Sequence, residues 1–275
     1  MIPTLPEGIT LVKSHSPGPT IAILAGVHGD ERAGILAFKN LLKTCKPTRG
    51  SIFFILGNLR AVQKNVRFTE SNLNRCFIPN IIGDSYEQKR AREIMPILDA
   101  CDALLDLHGF KDTAGDPVSI CDEPSVKVAR KLLPPIVSTG WGDAEPGGSD
   151  TYMHMQGKIG ITVECGPIAD SASNGRLVAE VAVHQFLKYF GMIDTPIPFS
   201  TKKKKHVQVH YAVKRTSENF TLREGMHNFQ ELSRGEVYGQ QDGQDFVAEA
   251  GDVIIFPRPH QLIGHEAFII GKVIR

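Results

Sequence analysis

Between Thr20 and about Phe190 the chain alternates short apolar runs with helix-length amphipathic stretches, and this restricts the fold more than any other feature of the sequence. Thr20 to Gly26 (TIAILAG) is continuous, apolar and short, as expected of a strand buried on both faces. Glu31 to Lys43 then places Ile35, Phe38, Leu41 and Leu42 on one helical face. Strand-like runs recur at Ser51 to Leu56, Ala103 to Leu107, Val118 to Cys121, Ile136 to Ser138 and Ile159 to Glu164. Helical patterns fall between them at about Ser85 to Met95, Ser125 to Leu133 and Asn174 to Phe190. The alternation predicts an α/β domain, a mixed, largely parallel sheet with helices on both faces.

The pattern changes after Phe190. Gly191 to Ser200 contains two prolines and a glycine, and Lys202 to Lys205 is a run of four lysines, read as a solvated linker. Beyond it, His206 to Val213, Phe246 to Ala248, Asp252 to Phe256 and Phe268 to Ile274 read as strands separated by turns. The expected division is therefore 1–197 for the α/β domain and 198–275 for a small β-rich domain bordering its cleft.

Composition narrows the function. Lysine plus arginine number 31 against 30 acidic residues, a formal charge of +1, which gives no support for nucleic acid or an anionic membrane as partner. No apolar run approaches the roughly 18 residues of a membrane span. Met1 to Ile9 lacks the basic-then-apolar order of a signal peptide. The five cysteines are odd in number and widely spaced with no CxxC pair, so they read as reduced packing residues of a cytoplasmic protein, Cys76 and Cys165 included. The sequence does not fix the oligomeric state.

The sharpest chemical signal is His28-Gly29-Asp30-Glu31, directly after the first buried strand. A histidine and a glutamate three apart on a turn entering a helix can reach one point in space. Zinc accepts imidazole nitrogen and carboxylate oxygen, and a catalytic zinc takes three protein ligands. His108 follows another buried strand, and ligands of open α/β sheets bind beyond the carboxyl ends of strands. Glu164 ends a third such run. Asp106 shares a strand face with His108 and can orient its imidazole. A polar segment, Arg67 to Phe77, carries Arg67, Asn74 and Arg75, suited to an anionic oxygen or a carboxylate. GxSxG, GxxxxGK[ST] and GxGxxG motifs are all absent.

Taken together, Gly26-Val27-His28-Gly29-Asp30-Glu31, Asn72-Leu73-Asn74-Arg75, Asp106-Leu107-His108-Gly109 and Val163-Glu164-Cys165-Gly166-Pro167 resemble, in order, the succinylglutamate desuccinylase/aspartoacylase family, which is related to the zinc carboxypeptidases. The resemblance runs from about residue 20 to 170. It implies one zinc ion per chain on His28, Glu31 and His108. It implies Glu164 as the carboxylate that activates water and later protonates the leaving amine, and Arg67 as the arginine at the scissile carbonyl. Asn74 and Arg75 match the pair that binds the substrate's carboxylate. The chain departs from the family in carrying Asn72 where aspartate is usual, and in lacking a tyrosine between Pro259 and Phe268.

The expected activity is zinc-dependent hydrolysis of the amide of an N-acyl amino acid or similar small carboxylate. A carboxypeptidase acting on peptides and a zinc-binding protein without turnover are the alternatives. The carboxylate expectation has a charge argument behind it, since an arginine left unpaired beside the metal would be costly.

Overall fold

The computed structural model describes residues 5–111 and 114–274. The strands are β1 (Ile9–Lys13), β2 (Thr20–Ala25), β3 (Ser51–Leu56), β4 (Ala103–Phe110), β5 (Val118–Ile120), β6 (Ile136–Thr139), β7 (Ile159–Pro167), β8 (Lys205–Lys214), β9 (Phe220–Leu222), β10 (Gln230–Glu231), β11 (Val237–Gln241), β12 (Gln244–Val247), β13 (Asp252–Ile255) and β14 (Glu266–Ile274). The helices are α1 (Arg32–Thr44), α2 (Leu59–Lys64), α3 (Tyr86–Asp99), α4 (Val126–Ala129), α5 (Trp141–Ala144), α6 (Ser149–His154) and α7 (Arg176–Tyr189).

Eleven strands form one sheet in the order β1-β3-β2-β4-β7-β5-β6-β8-β14-β13-β10, and β12-β11-β9 form a second, separate sheet. Pairing is parallel from β3 through β2 and β4 to β7, and again from β5 through β6 to β8. The α/β fold with a mixed, largely parallel sheet is thus as the sequence predicts. Alternation along each strand divides the core. Ile21, Ile23, Leu105 and Leu107 face α1 and α7, while Ala22, Leu24 and Leu104 face α3. Asp106 and His108 share the parity of Leu104, which sends them to the α3 side of the sheet.

Boundaries differ from the sequence reading where side chains override local pattern. Helix α3 continues through Pro96 to Asp99 instead of stopping at Met95. Its start carries a full capping box between Ser85 and Gln88, and its buried face, Ala91, Ile94, Met95 and Leu98, outweighs the N–H that proline lacks. The expected helix from Ser125 to Leu133 shrinks to α4. Strands β4 and β7 run beyond Leu107 and Glu164, so His108 and Glu164 lie inside the last turns of pairing, in register with each other.

The lysine run is not a solvated linker throughout. Lys204 Nζ donates to the carbonyls of Leu132 (2.6 Å) and Pro134 (2.7 Å) and to Ser200 Oγ (2.9 Å), while Lys205 opens β8 and pairs with Glu231 at 2.7 Å. Strand β8 is hydrogen-bonded in parallel to β6, so the large sheet continues past residue 198. The smaller sheet closes over β13 and β14 through Phe220, Leu222, Tyr238 and Phe268. All five cysteines are free and buried. Among the described residues no helix is long and apolar enough to cross a membrane.

Candidate metal centre

His28 stands in the loop leaving β2. The next residue, Gly29, passes so close to the α2 backbone that a Cβ there would sit 2.0 Å from the Ala61 carbonyl carbon, so only glycine fits. The chain then turns into α1 with Glu31 at its N-cap position. That turn brings the Glu31 carboxylate back onto His28, whose Nδ1 lies 2.8 Å from Oε1. From β4, His108 Nδ1 lies 3.0 Å from Glu31 Oε2, and the Gly109 N–H donates to the same oxygen at 3.0 Å. One ligand atom from each of His28, Glu31 and His108 falls within 4.8 Å of the others, and all three residues are buried. Among the described residues no histidine of the C-terminal region joins this group.

Both imidazoles turn Nδ1 toward Glu31 and Nε2 away from it. Asn72 Oδ1 lies 2.9 Å from His28 Nε2 and also accepts from the Asn74 N–H at 3.0 Å. The second bond fixes which end of the amide faces the ring, so Nε2 donates to Asn72, and Nδ1 would supply its lone pair to a bound metal. His108 Nε2 lies 3.1 Å from Asp106 Oδ2, close though not aligned as a hydrogen bond, and Ser149 Oγ donates to that oxygen at 2.5 Å. Asp106 therefore stands where the sequence places it.

Charge at the centre follows from burial and neighbours. Burial alone would raise the Glu31 carboxyl, but His28 and His108 outweigh it and hold it well below the usual range. Burial would likewise lower His108, but Asp106 and Glu31 outweigh it and raise it well above the ordinary value. His28 is lowered by burial, with Glu31 offsetting only part. Two inward nitrogens and a carboxylate, with His28 Nε2 held by Asn72 and His108 Nε2 beside Asp106, fit a divalent ion of the zinc type.

Glu164, on the strand beside His108, is buried, and its Oε2 has no hydrogen-bond partner among the described residues. Burial first, then the charge of Glu31, pushes its carboxyl up to about 8. Arg67 NH1 donates to Glu31 Oε1 at 2.8 Å, with a third of the side chain exposed. Asn74 and Arg75 lie on a 3₁₀ turn, Leu73–Arg75, capped by the same Asn72 oxygen that holds His28. Arg75 NH1 donates to the Asn74 carbonyl at 2.8 Å, and NH2 pairs with Glu145 at 2.5 Å. Neither arginine is unpaired, so the charge argument for a substrate carboxylate does not hold in the form the sequence suggests.

Sequence reasoning missed three residues. Asn72 was visible as a departure, and an Asx residue opening a turn is itself a capping signal. Glu87, from α3, accepts hydrogen bonds from Asn58 Nδ2 (3.0 Å), Thr69 N (2.7 Å) and Oγ1 (2.7 Å), and Ser71 N (3.1 Å), which pins the loop carrying Arg67 and Asn72. Nothing in its helical pattern marks it. Glu145 is likewise unmarked, on the segment after α5.

A sheet of this topology with two imidazoles and a carboxylate gathered at its strand ends defines an α/β protein with a three-residue candidate metal site. The model of the succinylglutamate desuccinylase/aspartoacylase catalytic domain matches residues 17–190, more than half of the chain, and the chain belongs to that family. It is 26% identical over 187 residues to a probable aspartoacylase of Nostoc sp., covering 62% of this chain and 63% of that protein. It is 24% identical over 273 residues to an N-acyl-aromatic-L-amino acid amidohydrolase (carboxylate-forming) of Xenopus laevis, covering 88% of each. The crystal structure of a succinylglutamate desuccinylase/aspartoacylase from Rhodobacter sphaeroides superposes with a TM-score of 0.77 at 20% identity, over 97% of this chain and 89% of that one, a likeness of fold.

Proposed function

We propose that the chain is a zinc-dependent hydrolase that cleaves the amide bond of an N-acyl amino acid or a similar small carboxylate. The observation that carries this reading is the buried convergence of His28 Nδ1, His108 Nδ1 and the Glu31 carboxylate beside the unpartnered Oε2 of Glu164. Relatives named as a probable aspartoacylase and as an N-acyl-aromatic-L-amino acid amidohydrolase (carboxylate-forming) support it. Zinc held by His28, Glu31 and His108 would acidify water and polarise the amide carbonyl.

The chain's own groups supply the rest. Glu164 accepts a proton from water at Oε2 and passes it to the leaving nitrogen; a carboxyl whose affinity for protons is raised suits both halves of that transfer. Arg67 has one guanidinium nitrogen on Glu31 and others free to donate to the oxygen that gains charge. Asn74 and Arg75 receive the substrate carboxylate. Residues 1–197 form the hydrolytic part in this reading, and 198–275 border the cleft, supported by Glu266 at the start of β14, whose carboxyl responds to the charges of Glu145 and Arg75. Five free cysteines suit a cytoplasmic setting.

The test is a panel of N-acetyl, N-succinyl and N-formyl amino acids beside blocked dipeptides, run on metal-depleted protein with and without added zinc. Zinc-restored hydrolysis of an acyl amino acid is expected. Cleavage confined to the dipeptides would assign a carboxypeptidase instead, and no zinc-dependent turnover would contradict the reading.

A further inference from the structure

The reader of the substrate's carboxylate is not a lone arginine. Arg75 NH2 and Glu145 Oε1 are 2.5 Å apart, and both side chains keep solvent access, at 34% and 21% exposure. The pairing is built into the backbone. Gly147 has φ +87°, and a Cβ there would stand 2.8 Å from the Arg75 carbonyl, while the Phe77 N–H donates to the Gly147 carbonyl at 3.1 Å. The segment carrying Glu145 is therefore laid directly on the turn carrying Asn74 and Arg75, and a bulkier residue at 147 would push them apart.

A substrate carboxylate that takes the edge of Arg75 now held by Glu145 displaces that glutamate. It then leaves that glutamate without its cation near Glu266, whose carboxyl is pushed up to about 7 by burial first and then by the charge of Glu145. Among the described residues Glu266 Oε1 is buried without a hydrogen-bond partner, and Arg258 lies 3.8 Å from it. A ligand bringing only negative charge makes this surround worse. A ligand that brings an ammonium beside its carboxylate relieves it, because the carboxylate pairs with Arg75 and the ammonium with Glu145.

We propose that Arg75 and Glu145 together read the zwitterionic end of an amino acid, so that the substrate is a diamino acid acylated on its side-chain nitrogen. The proposal rests on the amidohydrolase reading above and adds the substrate class. The reaction is a hydrolysis without oxidation or reduction. The acyl C–N bond breaks, a C–O bond forms from water, and water's proton goes by way of Glu164 to the leaving side-chain nitrogen. Glu145 is a specificity-determining residue, touching the substrate away from the reacting atoms.

The experiment compares Nε-acetyl-lysine with 6-acetamidohexanoate, which keeps the carboxylate and the amide but lacks the α-ammonium, on the zinc-loaded parent and on Glu145→Gln. The charge-assisted contact should give the parent a preference of about tenfold or more in kcat/KM for the amino-bearing substrate, carried mainly by KM. Glu145→Gln should lose that preference while still cleaving 6-acetamidohexanoate. Equal turnover of the two by the parent, or an unchanged preference in Glu145→Gln, would overturn the proposal. A parent that cleaves Nα-acyl amino acids but neither of these overturns the substrate class and leaves the amidohydrolase reading standing. A parent that cleaves none of them overturns both.

Discussion

At the residue scale the centre depends on atoms one bond removed from the ligands. His28 presents Nδ1 inward because Asn72 holds its Nε2, and Asn72 can do so only because the Asn74 N–H fixes its amide. Asn72→Ala should lower zinc affinity about 10- to 100-fold, measured by competition with a chromophoric chelator. Asn72→Asp, which places a carboxylate on the imidazole, should raise it; equal affinities for all three proteins would show that the contact does not tune the metal. Glu164→Gln should keep fold and zinc content while lowering kcat by about 10² or more, because an amide cannot take a proton from water. Turnover within a few-fold of the parent would make Glu164 structural.

At the element scale the decisive connection is between α3 and the loop of residues 67–75. Glu87 in α3 is fully buried, yet its carboxyl is held below the usual range: burial alone would raise it, but hydrogen bonds from Thr69, Asn58 and Ser71 outweigh this. A carboxyl depressed in the folded state contributes stability above its unfolded pKa, and that contribution is lost as pH falls through the folded value. Order in the loop should therefore fail in acid, below about pH 4, and Glu87→Gln should flatten that limb of a pH–stability profile. Glu87→Ala strands several donors at once and should cost about 3 kcal/mol in denaturant unfolding. The same contrast explains what could be read from the sequence. His28, His108 and Glu164 each close an apolar run, so the strand pattern places them at strand ends, and Glu31 follows from its spacing to His28. Glu87 and Glu145 meet the site only through tertiary packing, and Lys204 looks like solvent-facing charge until three carbonyls and a hydroxyl close round it. The helix through Pro96 was hidden because its buried face, a tertiary property, decides where it ends.

At the scale of the whole molecule a bound metal would link segments that are distant in sequence. His28 and Glu31 flank the start of α1, and His108 arrives from β4, so an ion joining them favours the folded chain alone. Zinc at 100 times its dissociation constant should add about 2.7 kcal/mol to stability, seen as a rise in Tm that a chelator reverses. The C-terminal histidines, His206, His210, His227, His260 and His265, should be replaceable one at a time with metal retained, because none belongs to the cluster. The central claim is that His28, Glu31 and His108 are the metal site of this chain, and the most direct test is elemental analysis of the parent and His108→Ala purified side by side. One divalent ion per chain is expected in the parent, with a large loss in a variant that remains folded by circular dichroism. Full metal occupancy in His108→Ala would contradict it.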